Sequence, residues 1–187
     1  MFMQIDELPI EGLRVISLLI RGDERGFFME RFRASEFAKA GLPTEFAQDN
    51  HSRSAAGVLR GIHYQSEPAQ GKLVGATRGR IWDVAVDLRA DSATFGKSFG
   101  VELSDTNGKL LWMPPGFGHG FCILGDEPAD VVYKATAEYN AATDSGIIWD
   151  DPDLAIDWPI SDPELSDRDK KLQSFAEFRM NPIDWSK

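Results

Sequence analysis

Residues 79–89 read GRIWDVAVDLR. On an extended chain Trp82, Val84, Val86 and Leu88 fall on one side and Asp83, Ala85 and Asp87 on the other, a period of two that predicts a strand with an apolar core face and a polar face. Asp83 is read as a solvated or structural carboxylate; it would orient a catalytic group only if its face lined a barrel lumen. Working outward, the same strand-like composition recurs in LRVISLLI (13–20), GKLVGATRG (71–79), SFGVELSD (98–105), KLLWMPP (109–115), GFCILG (120–125), ADVVYKATAEYN (129–140) and GIIWDD (146–151), parted by Gly, Pro, Asn and Asp at short spacing. Helical signals are few. Ser35 is positioned to cap SEFAKAGL, closed by Gly41 and Pro43, and Ser161 with Glu164 forms a capping-box pattern opening a C-terminal helix toward Phe175 or Phe178. Many short strands with peripheral helices predict an all-β jelly-roll barrel with a binding site in its mouth.

At 187 residues the chain is expected to form one domain. It divides into an N-terminal arm of about residues 1–50, a barrel of about 51–159 and a more charged, helical segment of about 160–187. No apolar run approaches the ~20 residues that cross a bilayer, so a soluble protein without a membrane partner is expected. MFMQIDELPI is acidic where a secretory signal is basic, and Cys122 is the single cysteine, which excludes an intrachain disulfide and a CxxC site. Both readings favour the reducing cytoplasm. A net charge of −10 argues against nucleic acid as a partner, whose phosphates demand clustered Lys and Arg. A small anion needs only a local nest of positive charge, for which Arg25, Arg60, Lys72 and Arg168 are candidates.

Chemistry concentrates in GVLRGIHYQSEPAQGKLV (57–74) and PPGFGHGF (114–121), which hold two of the three histidines in glycine-rich settings. His63 suits a general base, because imidazole titrates near neutral pH. Regular alternation would send Arg60 and His63 to opposite faces, so their convergence requires a local irregularity, for which Gly57 and Gly61 provide the freedom. A metal reading lacks ligands: Tyr64 and Gln65 follow His63 where a second histidine and a carboxylate would be needed, which leaves His119 free for another role. Lys72 is suited to stabilise an enolate oxygen. Tyr133 and Tyr139 lie six residues apart, which on one continuous strand places both in the lumen or both outside.

With PTEFAQDNHSRS (43–54) ahead of them and VVYKATAEYN (131–140) behind, these strings resemble the dTDP-4-dehydrorhamnose 3,5-epimerase family, cupin-type sugar-nucleotide epimerases, from about Gly22 to Lys171. The resemblance implies a cupin fold, a cofactor-independent isomerase without a metal, and dTDP-4-keto-6-deoxy-D-glucose as substrate. It implies that His63 is the base, Asp169 its carboxylate partner, Tyr133 the proton donor from the opposite face, and Lys72 the group at the keto oxygen. Arg60, His119, Gln48, Asp49 and Asn50 correspond to substrate contacts, and Tyr139 to an aromatic stacked on thymine. Arg25, Phe28 and Glu30 correspond to an arm that crosses to the neighbouring subunit of a homodimer. Two positions depart from the family pattern: Asp144 stands for a usual Glu and Arg168 for a usual Lys. Both keep their charge and bear on nucleotide binding. An epimerase acting at C3 or C5 alone, a ketoisomerase or dehydratase on the same fold, and a nucleotide-sugar binding module remain open alternatives. Retention of Tyr133 with Asp169 favours epimerisation.

Overall fold

The structure, a computed structural model, describes residues 3–185; residues 1, 2, 186 and 187, at the ends of the expected arm and C-terminal segment, lie outside the described residues. The strands are β1 (Met3–Glu7), β2 (Arg14–Leu18), β3 (Ile20–Asp23), β4 (Gly26–Met29), β5 (Gln48–Ser54), β6 (Leu59–Gln65), β7 (Lys72–Arg78), β8 (Arg80–Asp87), β9 (Ser98–Ser104), β10 (Lys109–Met113), β11 (Phe117–Ile123), β12 (Ala129–Ala135) and β13 (Asp144–Gly146). A six-stranded sheet has the order β1-β2-β10-β7-β12-β5 and a five-stranded sheet the order β13-β6-β11-β8-β9. All their pairings are antiparallel. The β3–β4 hairpin stands apart from both sheets. The barrel thus begins earlier than the boundary expected near residue 51, because β1 and β2 already belong to the six-stranded sheet.

The inner faces of the sheets pack against each other through Val15, Val74, Leu111, Met113 and Val131 from one and Ile81, Ala85, Leu103, Phe117, Phe121 and Ile123 from the other. Here the reading of residues 79–89 needs correction. The face carrying Ile81, Asp83 and Ala85 is the one inside the barrel, while Val84, Val86 and Leu88 face outward and are buried beneath Leu154, Phe175 and Phe178, with Trp82 and Trp158 packed alongside. An outer layer covers this strand, so both its faces are buried and alternation marks lumen against overlay instead of core against solvent.

The helices also differ from expectation. Helix α1 (Ala34–Lys39) begins one residue before Ser35, since the amides of Glu36 and Phe37 both donate to the carbonyl of Arg33. It seats Phe37 on the outer face of the six-stranded sheet with Leu73, Leu110 and Trp112. Ser161 opens no helix. The backbone at Glu164 instead bonds Gly57 and Leu59 at the start of β6. The chain continues through a 3-10 turn (Asp169–Lys171) to helix α2 (Phe175–Met180). Ser174 and Glu177 make the capping box there, reciprocally bonding each other's backbone amides. GIIWDD is strand only at Gly146. Past Ile147 the chain turns, with the buried Asp151 carboxylate accepting the amides of Asp153, Leu154 and Phe175 and thereby tying α2 to this turn.

Candidate active site

The site is built by register. In the five-stranded sheet His119 of β11 lies opposite His63 of β6, but the next pair inward is Phe121 with Arg60. Strand β6 therefore spends three residues where β11 spends two, a bulge that turns Arg60 and His63 to the same side. Gly61 sits inside it with φ of +108°. A Cβ there would lie 2.5 Å from the carbonyl oxygen of His119 and 2.6 Å from the Cα of Gly120, so no other residue fits without displacing backbone. The peptide Gly61–Ile62 is cis. In the facing sheet Tyr133 of β12 is opposite Val74 and Ala135 opposite Lys72, which puts Tyr133 and Lys72 on one inward face.

These side chains line one cavity of about 150 Å³, shared by Ser52, Arg60, His63, Lys72, His119, Phe121 and Tyr133. A second cavity of about 360 Å³, also lined by Arg60 and His63, extends beneath Glu164, Leu165, Ser166, Arg168 and Asp169. His63 and Tyr133 thus come from opposite sheets, with Lys72 beside Tyr133 and His119 beside His63.

His63 Nε2 is 2.5 Å from Asp169 Oδ1. The Asp169 side chain is only 4% exposed. Burial opposes its ionisation, but the hydrogen bond and charge of His63, with help from Ser166 and Arg168, outweigh burial and hold its pKa below the usual carboxylate value. With Nε2 engaged, Nδ1 is the nitrogen left to accept a proton. Burial pushes Lys72 down to about 8 against the opposing pull of Asp144 and Asp83. Tyr133 is pushed up, first by burial and then by Asp144, with Arg60 acting in the other direction. The arrangement sets an imidazole and a phenol on opposing walls with a half-buried lysine beside the phenol, groups of the kind that proton transfer at a carbon beside a carbonyl requires.

The structure adds Asp83 to this set. It is fully buried and bonds His119 Nε2 at 2.7 Å, while its Oδ2 has no partner. A second His–Asp pair therefore stands beside the first, and Asp83 is buried on the lumenal face of β8 and not solvated. Ser52 and Phe121 were likewise absent from the sequence-predicted set; Arg60, which pairs with Phe121 across the sheet, and Asn50, two residues before Ser52 on β5, were not.

The remaining candidates divide. Gln48 and Asn50 share the inward face of β5 with Ser52, opposite Ala135 and Tyr133, and bond each other at 2.8 Å. Asp49 alternates to the outward face, where it pairs with Lys134 at 2.7 Å, so its side chain is turned from the cavity. Strand β12 ends at Ala135, so the expected continuous strand is broken; Tyr133 faces the lumen while Tyr139 is 57% exposed beyond it, its amide held by Gln48 Oε1. Asp144 and Arg168 pair with each other at 2.8 Å. Arg25 pairs with Asp23 on the outlying β3–β4 hairpin, Phe28 is 65% exposed there, and Glu30 pairs with Arg33; none of the three lines either cavity. Among the described residues no group of three or more His, Cys, Asp or Glu is placed to hold a metal ion.

A model of the family described as dTDP-4-dehydrorhamnose 3,5-epimerase matches residues 7–177. The chain belongs to that family. Among dTDP-4-dehydrorhamnose 3,5-epimerases it is 49% identical to that of Shigella flexneri, over 94% of this chain and 97% of that one. It is 42% identical to a dTDP-4-dehydrorhamnose 3-epimerase of Streptomyces niveus, over 95% and 86% of the two chains. The crystal structure of a dTDP-6-deoxy-D-glucose-3,5-epimerase from Legionella pneumophila Philadelphia 1, in complex with dTDP-4-keto-L-rhamnose, superposes with a TM-score of 0.93 at 43% identity, covering 99% of both chains. Membership in the dTDP-4-dehydrorhamnose 3,5-epimerase family agrees with the expected fold: a jelly-roll barrel of cupin type, with short peripheral helices that include a C-terminal one.

Proposed function

We propose that the protein is an isomerase that inverts C3 and C5 of dTDP-4-keto-6-deoxy-D-glucose to give dTDP-4-keto-L-rhamnose. Both carbons are alpha to the C4 ketone, so each C–H proton can leave with its electron pair delocalised onto the ketone oxygen. His63 Nδ1 takes the proton while Asp169 accepts the hydrogen bond of the resulting imidazolium. The enolate oxygen is stabilised by the Lys72 ammonium and the carbon is reprotonated from the other side by the Tyr133 hydroxyl; solvent then takes the proton from His63 and returns one to Tyr133 before the second inversion. Electrons are only redistributed within the sugar, so the chemistry requires no oxidant or reductant. The observation that carries this reading is the placement of His63–Asp169 and Tyr133 on opposing sheets across a cavity that also holds Lys72.

Arg60, Gln48 and Asn50 are proposed to receive the nucleotide diphosphate at the cavity mouth, and the exposed Tyr139 ring to stack on the base. The protein is proposed to act in the cytoplasm as a homodimer whose β3–β4 hairpin, carrying Arg25, Phe28 and Glu30, completes the neighbour's nucleotide site. What supports this is the exposure of Phe27 and Phe28, 59% and 65%, on a hairpin outside both sheets.

The deciding experiment is incubation with dTDP-4-keto-6-deoxy-D-glucose in deuterated water, following the C3 and C5 proton signals by NMR. Loss of both, abolished in His63→Ala, is the expected result. Loss of one alone would make the protein a mono-epimerase like the S. niveus relative, and loss of neither would sink the epimerase reading for this substrate.

A further inference from the structure

Among the described residues, two side-chain bridges tie residues 165–172 to the barrel, and the proposed chemistry uses one of them. His63 with Asp169 is the first. The second is Arg168 Nη2 with Asp144 Oδ2, at 2.8 Å. The register makes them neighbours. Gly146 of β13 lies opposite His63, and Asp144, two residues earlier on β13, lies opposite Gln65. Arg168 directly precedes Asp169 and forms the N-terminal cap of the 3-10 turn. Two consecutive residues, Arg168 and Asp169, are therefore pinned to β13 and β6 at rows two residues apart.

The turn needs such pins. It spans three residues, and its own support is the bond from the Lys170 amide to the Ser166 carbonyl, that from Lys171 to Arg168, and that from the Asp169 amide to Ser166 Oγ, all within the segment itself. Short 3-10 turns hold their geometry poorly by themselves. The nearest backbone anchors are Glu164 with Gly57 on one side and Gln173 with Ile148 on the other, each at least four residues from Asp169. A His–Asp contact of 2.5 Å requires placement to within about half an ångström. The Asp144 side chain is only 12% exposed while that of Arg168 is 46% exposed, so the bridge is shielded from solvent at its carboxylate end.

We propose that the Asp144–Arg168 ion pair is a positioning clasp, which fixes the 3-10 turn to β13 and thereby holds Asp169 in line with His63. This inference rests on the proposed role of His63 as base. It makes Asp144 and Arg168 positioning residues in place of independent nucleotide ligands. The location matters on the other wall as well, since Asp144 is the foremost charge favouring protonation of Lys72 and also acts on Tyr133.

The test compares the wild type with Asp144→Asn, Arg168→Gln, their double variant, Asp169→Asn, and the conservative pair Asp144→Glu with Arg168→Lys. The imidazole proton shared in a short His–Asp hydrogen bond gives a far-downfield 1H NMR signal; the His63 signal is identified by its loss in Asp169→Asn. The signal from His119–Asp83 serves as the internal control for an intact barrel. The clasp predicts that the His63 signal is lost or broadened in each truncation, no worse in the double variant, and retained in the conservative pair, while the His119 signal persists throughout. A His63 signal unchanged in both truncations would overturn it. In the deuterium-exchange assay each truncation is expected to slow exchange at saturating substrate by about tenfold or more, with dTDP affinity changed less than about threefold. Weakened dTDP binding with an unaltered saturated rate would overturn the clasp in favour of direct nucleotide contact. If the wild type exchanges neither proton, the epimerase reading fails, and the NMR signal still decides the clasp.

Discussion

In its proposed role Lys72 has to be charged to hold an enolate oxygen, yet partial burial removes much of the water that stabilises that charge. Its pKa of about 8 lies below the ordinary lysine value, so the folded state binds this proton less tightly than the unfolded chain does. The cost to folding is fully present below pH 8 and is relieved as pH rises toward the unfolded value. Lys72→Met is accordingly expected to stabilise the fold at pH 7 by roughly 1–3 kcal/mol while cutting exchange at C3 and C5 by orders of magnitude. Melting curves at pH 7 beside the exchange assay check both halves; a destabilised variant would contradict the burial argument. The same proton governs rate. In the wild type kcat/KM should fall as pH rises through about 8, and in Lys72→Arg that limb should move upward. A wild-type limb above 10 would assign the loss to Tyr133 instead, whose pKa is raised. At this scale residue chemistry pointed to His63 and Lys72, and family resemblance supplied Asp169 and the role of Tyr133; the structure brings the four side chains to adjoining cavities. Asp83 was not legible, because alternation separates two faces of a strand without saying which one turns to the lumen. Only the overlay of Leu154, Phe175 and Phe178 decides that, and it comes from residues about seventy or more positions away.

The bulge in β6 was readable as a requirement and not as a geometry. Arg60 and His63 are an odd number of residues apart, so a shared face demands an extra residue, and the glycine that makes room for it lies between them. What alternation leaves undetermined is the approach of β11, whose backbone at His119 and Gly120 occupies the place of any Cβ at position 61. Gly61→Ala should therefore cost about 2–4 kcal/mol of stability through combined steric overlap and positive φ. Exchange in the folded fraction should fall as well, because relief of the overlap must move Arg60 or His119. Denaturant unfolding and the exchange rate at low temperature check this; a variant with wild-type stability would mean that the two strands separate at little cost. The C-terminal segment was legible in composition and misread in detail. Ser161 and Glu164 carry the same spacing as Ser174 and Glu177, and local sequence ranks them alike. The backbone at Glu164 instead finds partners in Gly57 and Leu59, and a tertiary pairing outcompetes a local cap.

On the scale of the whole molecule, one barrel supplies His63, Tyr133 and Lys72, while the hairpin bearing Arg25 and Phe28 lines neither of these cavities in its own chain. If the hairpin serves a neighbour, each site of the proposed homodimer is assembled from two chains, and damage to hairpin and cavity can be separated. Arg25→Ala with Phe28→Ser leaves the cavity intact and removes the hairpin's charge and ring. His63→Ala leaves the hairpin intact and removes the base. Each variant alone is expected to be impaired, the first through weakened dTDP-sugar binding and the second through loss of exchange. When the two are unfolded together and refolded as a mixture, a random half of the dimers are hybrids, in which one of the two sites combines an intact cavity with an intact hairpin. The mixture should then recover roughly a quarter of the wild-type exchange rate per chain at low substrate, as a statistical consequence of two-fold pairing. Sedimentation fixes the oligomer present in the same sample. Recovery no greater than the sum of the separately refolded variants, in a sample that sediments as a dimer, would show that the hairpin serves its own chain or none.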